Sequence, residues 1–83
     1  MTLTNRRGLH ARASARFVTL AAGLPAGIEV EKDGSTVTGT SIMGLMMLGA
    51  AMGDSILIRA EGEGAQDAVE QLVRLVEGKF GEE

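Results

Sequence analysis

Between residues 65 and 80 the apolar side chains keep one spacing. Ala65, Ala68, Val69, Leu72, Val73, Val76 and Phe80 fall on one helical face, with Gln66, Asp67, Glu70, Arg74 and Glu77 opposite. A helix with a single apolar face must lie on another layer of structure. Residues 28–38 supply one: Ile28, Val30 and Lys32 alternate with Glu29, Glu31 and Asp33, and Asp33-Gly34 forms a two-residue turn into Ser35–Thr38. This pattern predicts two antiparallel strands joined by a hairpin.

The remaining segments extend that scheme. Ala11–Ala22 is expected to be a helix, with Ala11, Ala15, Val18 and Ala22, joined by Phe17 and Ala21, forming its apolar stripe and Gly23-Leu24-Pro25 stopping it. Ser41 is a candidate N-cap for a short helix over Ile42–Ala51, interrupted by Gly44 and Gly49 and ended by Gly53-Asp54. Ile56, Ile58 and Ala60 alternate with Ser55, Arg59 and Glu61 in a further strand, although Leu57 breaks its polar side. A first strand is expected over Thr2–Asn5, around Leu3 and closed by Gly8. It is short for its place, so a few residues are expected to be missing from its start. The order β-α-β-β-α-β-α predicts an α+β sandwich in which helices cover one face of an antiparallel sheet.

With 83 residues the chain is expected to form one domain, residues 1–83. The absence of cysteine excludes a disulfide framework, a thiolate zinc site, an iron–sulfur cluster and a cysteine nucleophile. No apolar run approaches the roughly 20 residues of a membrane span, and no charged segment followed by an apolar secretory core opens the sequence. A soluble, cytoplasmic domain is expected.

The net charge of −3 hides a polarised chain. Residues 1–25 hold Arg6, Arg7, Arg12 and Arg16 and no acid, hence +4. Residues 26–83 hold four basic side chains against all 11 acids, hence −7. Such asymmetry points to a partner of opposite sign to the minority region, or to a basic surface helix balanced elsewhere.

Within the basic region lies the only histidine. His10 directly precedes the first helix, so its ring is expected over the unpaired amides of Ala11, Arg12 and Ala13. A helix N-terminus favours an anion through its free N–H donors and about half a unit of positive charge. Arg12 adds a forked donor suited to phosphate oxygens, and Arg6, Arg7 and Arg16 raise the local potential. Neutral imidazole is a nucleophile near neutral pH, and positive neighbours favour that form. Nucleophile, anion-holding groups and the lack of metal ligands point to phosphoryl transfer through a phosphohistidine; a capping or surface histidine is the plain alternative.

Asn5-Arg6-Arg7-Gly8-Leu9-His10-Ala11-Arg12 resembles the active-site signature of the HPr family, the histidine phosphocarriers of the phosphoenolpyruvate-dependent phosphotransferase system. Ser41-Ile42-Met43-Gly44-Leu45, followed by Leu48, Gly49, Ala50 and Gly53-Asp54, resembles the family's regulatory serine region. The resemblance implies an open-faced β-sandwich with three helices on one face of a four-stranded antiparallel sheet. It also implies a covalent carrier rather than an enzyme, needing no cofactor or metal. His10 would accept a phosphoryl group from enzyme I on the ring nitrogen facing the helix and pass it to a downstream enzyme IIA-type acceptor. Arg12 would steady the phosphate, with the backbone of Ala11 and Arg12 around it. Ser41 would be phosphorylated by an HPr kinase/phosphorylase, placing about two negative charges beside the docking surface. The family usually has proline where this chain has Ala13; Ala13-Ser14 looks more like the nitrogen-related branch, whose output is regulatory. Alanine adds an amide and freedom to the helix start without removing a chemical group.

Met43, Met46 and Met47 lie at i, i+3 and i+4 beside Ile42. A methionine stripe is usually core, but this segment has more apolar residues than one face of a thin domain can bury. With Leu45 and Leu48 inward, some of these methionines are expected in a soft docking patch, with Ile42 and with Arg16 nearby, suited to several partners. Gly62-Glu63-Gly64 precedes a helix but lacks the third glycine and the parallel strand of a dinucleotide loop. Ser14 and His10 have no carboxylate placed to make a triad. A nucleic-acid-binding domain would need stacking platforms; only Phe17 and Phe80 are aromatic, both are expected in the core, and the pI is near 5.1. A monomer without a nucleic-acid partner is expected, and a docking module with an idle His10 is the nearest alternative.

Overall fold

The structure, a computed structural model, describes residues 1–81. Its elements follow in the order α1 (Ala11–Ala22), β1 (Gly27–Lys32), β2 (Ser35–Thr38), α2 (Ile42–Met47), β3 (Leu57–Glu61), α3 (Ala65–Glu77) and a 3-10 turn, Lys79–Gly81. The hairpin forms at Asp33-Gly34, whose φ angles of 50° and 85° suit a tight turn that follows the twist of the strands. Lys32 lies opposite Ser35 and Glu29 opposite Thr38. β1 is central in the antiparallel sheet β2-β1-β3, with Val30 paired to Ile58 and Glu29 to Arg59. Ile28, Val30 and Ile58 are therefore buried, whereas Glu29, Leu57 and Arg59 face outward and are exposed. Leu57 breaks the alternation because it lies on the open face.

One hydrophobic cluster joins the buried sheet face to the helices. Phe17 of α1, Leu45 of α2, Leu72 and Val76 of α3, and Phe80 are all fully buried within it. α3 turns Ala68, Leu72 and Val76 inward as its spacing predicts, but ends at Glu77. Gly78 closes it and Phe80 enters the core from a left-handed backbone, φ 56°. α2 is likewise shorter than expected: it stops at Met47, and single-turn bonds from the N–H of Leu48 and Gly49 to Leu45 and Met46 carry the chain out.

Two expectations are corrected. The sheet has three strands, not four, because the expected strand Thr2–Asn5 contributes only the bridge Thr2–Ser55. Its backbone is bonded, with Leu3 N–H donating to Asp54 O and Gly53 N–H to Leu3 O, both at 2.9 Å. Met1 and Ile56 also bond each other's main chain, but beyond Leu3 the partner segment is in a turn in which Asp54 Oδ2 accepts from Ala51 N–H, so the pairing does not extend over Thr4 and Asn5. The stripe of α1 is also rotated from its expected place. Ala13, Ser14, Phe17 and Ala21 are buried, while Ala11 and Ala22 are exposed and Ala15 and Val18 half-buried. Five alanines in 12 residues give several faces similar polarity, so alanine spacing alone does not select the inward one.

The passage into α1 is tightly enclosed. Leu9 N–H donates to Ala50 O at 2.9 Å, and Gly8, at φ 59°, lies so close that a Cβ would stand 2.2 Å from Ala50 O and 2.7 Å from Ala51 Cα. Gly8→Ala is expected to lose about 3 kcal/mol or more in urea unfolding, because left-handed strain joins a collision with main chain. Gly34→Ala, at φ 85° with open space around it, is expected to lose only about 1–2 kcal/mol.

Candidate functional site

His10 is the N-cap residue of α1, with extended backbone at φ −74° and ψ −178°. Its ring folds back over the helix start, and Nδ1 accepts a hydrogen bond from Arg12 N–H at 3.1 Å. In the neutral ring this assigns the proton to Nε2 and the lone pair to the nitrogen facing the helix. Ser14 N–H makes the first intrahelical bond, to His10 O at 2.9 Å. The amides of Ala11, Arg12 and Ala13 thus precede the ladder, where the helix presents its positive end.

The backbone leading to His10 is secured on several sides. Asn5–Gly8 is a turn in which Gly8 N–H donates to Asn5 O and Asn5 Nδ2 donates to Gly8 O at 2.8 Å. The buried Ser14 hydroxyl donates to Leu9 O at 3.2 Å, which satisfies a polar side chain on the inward side of α1. Leu9 is tied to Ala50 through its N–H, as described above. Each tie constrains where the imidazole can stand. None was foreseen from the sequence, where Ser14 figured as a hydroxyl without a triad and as part of the Ala13-Ser14 pair, not as a tie to Leu9.

The arginines divide into two groups. Arg6 and Arg7 occupy the exposed tip of the Asn5–Gly8 turn, and Arg12 is exposed two residues beyond His10. Arg16 lies one helical turn further on and its guanidinium donates to Phe80 O. Its charge stays on the surface of α1 while one of its donors holds the C-terminal turn. Between α1 and α3 an open groove of about 760 Å³ passes Arg12 and Arg16 and runs along Leu20, Leu24 and Leu75.

The second sequence motif lies on α2, which packs against α1. Ser41 is the N-cap: its Oγ accepts from Gly44 N–H at 2.9 Å. The helix splits as the residue count suggests. Leu45 and Leu48 are buried, while Ile42, Met43, Met46 and Met47 are 41%, 69%, 41% and 79% exposed. Met52, 57% exposed, adds a fourth methionine that the helical spacing did not single out, since it lies beyond the helix. The chain between Met47 and Met52 passes through Ala50, whose carbonyl holds Leu9 N–H, so the methionine surface adjoins the segment carrying His10.

Among the described residues no group of three or more histidine or carboxylate side chains could hold a metal ion, and no helix is long and apolar enough to cross a membrane. Gly62 and Gly64 take positive φ in the turn that joins β3, an antiparallel strand, to α3.

Residues 1–78 match the family described as "PTS HPr component phosphorylation site". Phosphocarrier protein HPr of Cupriavidus necator is 38% identical over 81 residues, 98% of this chain and 91% of the relative. Phosphocarrier protein NPr of Shewanella violacea is 34% identical over 82 residues, 99% of this chain and 90% of the relative. The crystal structure of HPr-C-His from Thermoanaerobacter tengcongensis superposes with a TM-score of 0.95 at 44% identity, covering 100% of this chain and 93% of that one. The shared fold and the match along nearly the whole chain assign this protein to the HPr family of phosphotransferase-system phosphocarriers.

Proposed function

We propose that His10 is the residue that carries the phosphoryl group, on Nδ1, and that the chain is a single carrier domain acting as a monomer in the cytoplasm, without cofactor or nucleic-acid partner. The observation that carries this reading is the direction of the Nδ1 lone pair, held over the start of α1 by Arg12 N–H at 3.1 Å. The lone pair attacks phosphorus on phospho-enzyme I. A nitrogen–phosphorus bond forms as the bond to the donor breaks, and the step reverses onto a downstream enzyme IIA-type acceptor. The chain is thus an intermediate in the relay, not a catalyst. The amides of Ala11 and Arg12 meet the incoming oxygens at the positive helix end, and the Arg12 guanidinium steadies their charge.

Docking uses the uncovered surface beside this site. Ile42, Met43, Met46 and Met47 offer apolar, adaptable contacts, and Arg16 adds positive charge for acidic partners. Ser41 is the regulatory position, phosphorylated at Oγ by an HPr kinase/phosphorylase. Its half-exposed hydroxyl accepts the Gly44 N–H, and a phosphate there would bring about two negative charges to the edge of the methionine surface.

With phosphoenolpyruvate and enzyme I, the chain is expected to gain one acid-labile phosphate, and His10→Ala none; equal labelling of both would leave a docking module with an idle histidine. Arg12→Ala is expected to keep the phosphate site but slow its filling by roughly 100-fold, the scale of losing one charge-stabilising donor, as read by quenched-flow labelling. Ser41→Ala is expected to cost about 1 kcal/mol in urea unfolding through loss of the cap. Ser41→Asp should instead slow phosphoryl acceptance about tenfold, or roughly 1.4 kcal/mol, by setting a negative charge at the docking edge.

A further inference from the structure

We propose that the methionine surface is an oxidant-sensitive modification site: conversion of Met43, Met46, Met47 and Met52 to sulfoxides by a peroxide weakens docking while leaving the fold intact. This rests on the docking role proposed above for α2.

The sulfur inventory of the chain is unusual in its placement. There is no cysteine, so its five methionines are its only sulfur sites, and there is no tryptophan or tyrosine to compete for an oxidant. Met1 is half-buried and packs against the core. The other four are 69%, 41%, 79% and 57% exposed and lie within ten residues of one another. Access of oxidant to a thioether requires that exposure.

The surroundings make the same surface sensitive to the change. Residues 34–53 contain no charged side chain, so this part of the docking surface contributes apolar contact and shape, and any ion pairs fall to the arginines beside it. Oxidation gives each thioether a strongly polar oxygen and a new chiral centre, and a polar group carried into a dry interface without a donor opposes binding. The core is spared, because the inward side of α2 rests on Leu45 and Leu48 and contains no methionine. In the reaction the sulfur lone pair takes one oxygen atom from the peroxide; the O–O bond breaks, the sulfur loses two electrons, and hydrogen peroxide leaves as water. A thiol-dependent methionine sulfoxide reductase reverses it.

The test treats the whole chain with hydrogen peroxide, removes the peroxide with catalase, maps sulfoxides by peptide mass and follows phosphoryl acceptance from untreated enzyme I. Circular dichroism and the urea midpoint report the fold. Sulfoxide at the four positions, an unchanged fold, at least a tenfold fall in acceptance and recovery with methionine sulfoxide reductases are expected. The combined Met43→Leu, Met46→Leu, Met47→Leu and Met52→Leu variant, compared only with its own untreated sample, is expected to lose less than twofold on treatment. Full acceptance by the oxidised, folded chain would overturn the proposal. So would an equal fall in the leucine variant, which would put the lesion elsewhere, His10 included. If the untreated chain accepts no phosphate, the carrier reading itself fails and this proposal with it.

Discussion

The bond from Leu9 N–H to Ala50 O is the tie on which the site depends. It joins two segments about 40 residues apart, one entering α1 and the other leaving α2, and so brings a histidine and an uncharged, methionine-rich surface to the same side of a thin domain. Gly8 makes the approach possible, since any side chain there would occupy the space of Ala50 O. A lost tie would leave both helices with their inward residues, Phe17 and Leu45, but would remove the constraint between His10 and the methionine surface proposed for docking. In the proposed function, chemistry and docking are therefore coupled through main chain, where the choice of side chain is narrowest.

A second consequence concerns the start of α1. Proline early in a helix restricts φ through its ring; here Ala13 supplies no such restriction. Ser14, the next residue, instead donates its buried hydroxyl to Leu9 O, and Asn5 donates to Gly8 O. The two carbonyls immediately before His10 are thus both held by side chains. Order at the helix entry is supplied by hydrogen bonds within a short segment rather than by a ring, and the inward position of Ser14 follows from that bond.

Much of this was legible in the sequence because periodicity reports on burial wherever side chains differ strongly. The contrast of valine and leucine with glutamate and arginine on α3, and of isoleucine and valine with glutamate on β1, placed both elements and their inward faces. The Asp33-Gly34 turn set the hairpin register. Where contrast was weak, pattern misled in part: Phe17 and Ala21 of the chosen stripe are buried, but Ala11, Ala15, Val18 and Ala22 lie off the buried face. Thr2–Asn5 had strand composition, but strand pairing needs an extended partner, and Asp54 holds that partner in a turn. His10, Arg12 and Ser41 stood out by residue type and position. The Arg16–Phe80 tie and the Gly8 approach did not, because each depends on a contact with a segment distant in sequence, and Ser14 did not, because its bond to Leu9 O arises from a turn geometry that residue spacing does not report.

The hydrogen bond at Nδ1 also bears on the direction of transfer. Arg12 N–H satisfies the lone pair that attacks in the proposed transfer, so that bond would have to be given up as phosphorus arrives. The donor is not lost, since the same N–H lies where a phosphoryl oxygen would replace the nitrogen as its acceptor. Exchange of one acceptor for another at a fixed amide would cost little reorganisation and would bring the two states of the proposed carrier closer in energy. A carrier needs that similarity, because a phosphohistidine held too firmly at the helix end would accept readily and donate poorly. An exposed Arg12 side chain fits the same proposed requirement: it would follow the charge onto His10 and release it again as a partner's own groups close around the phosphoryl group.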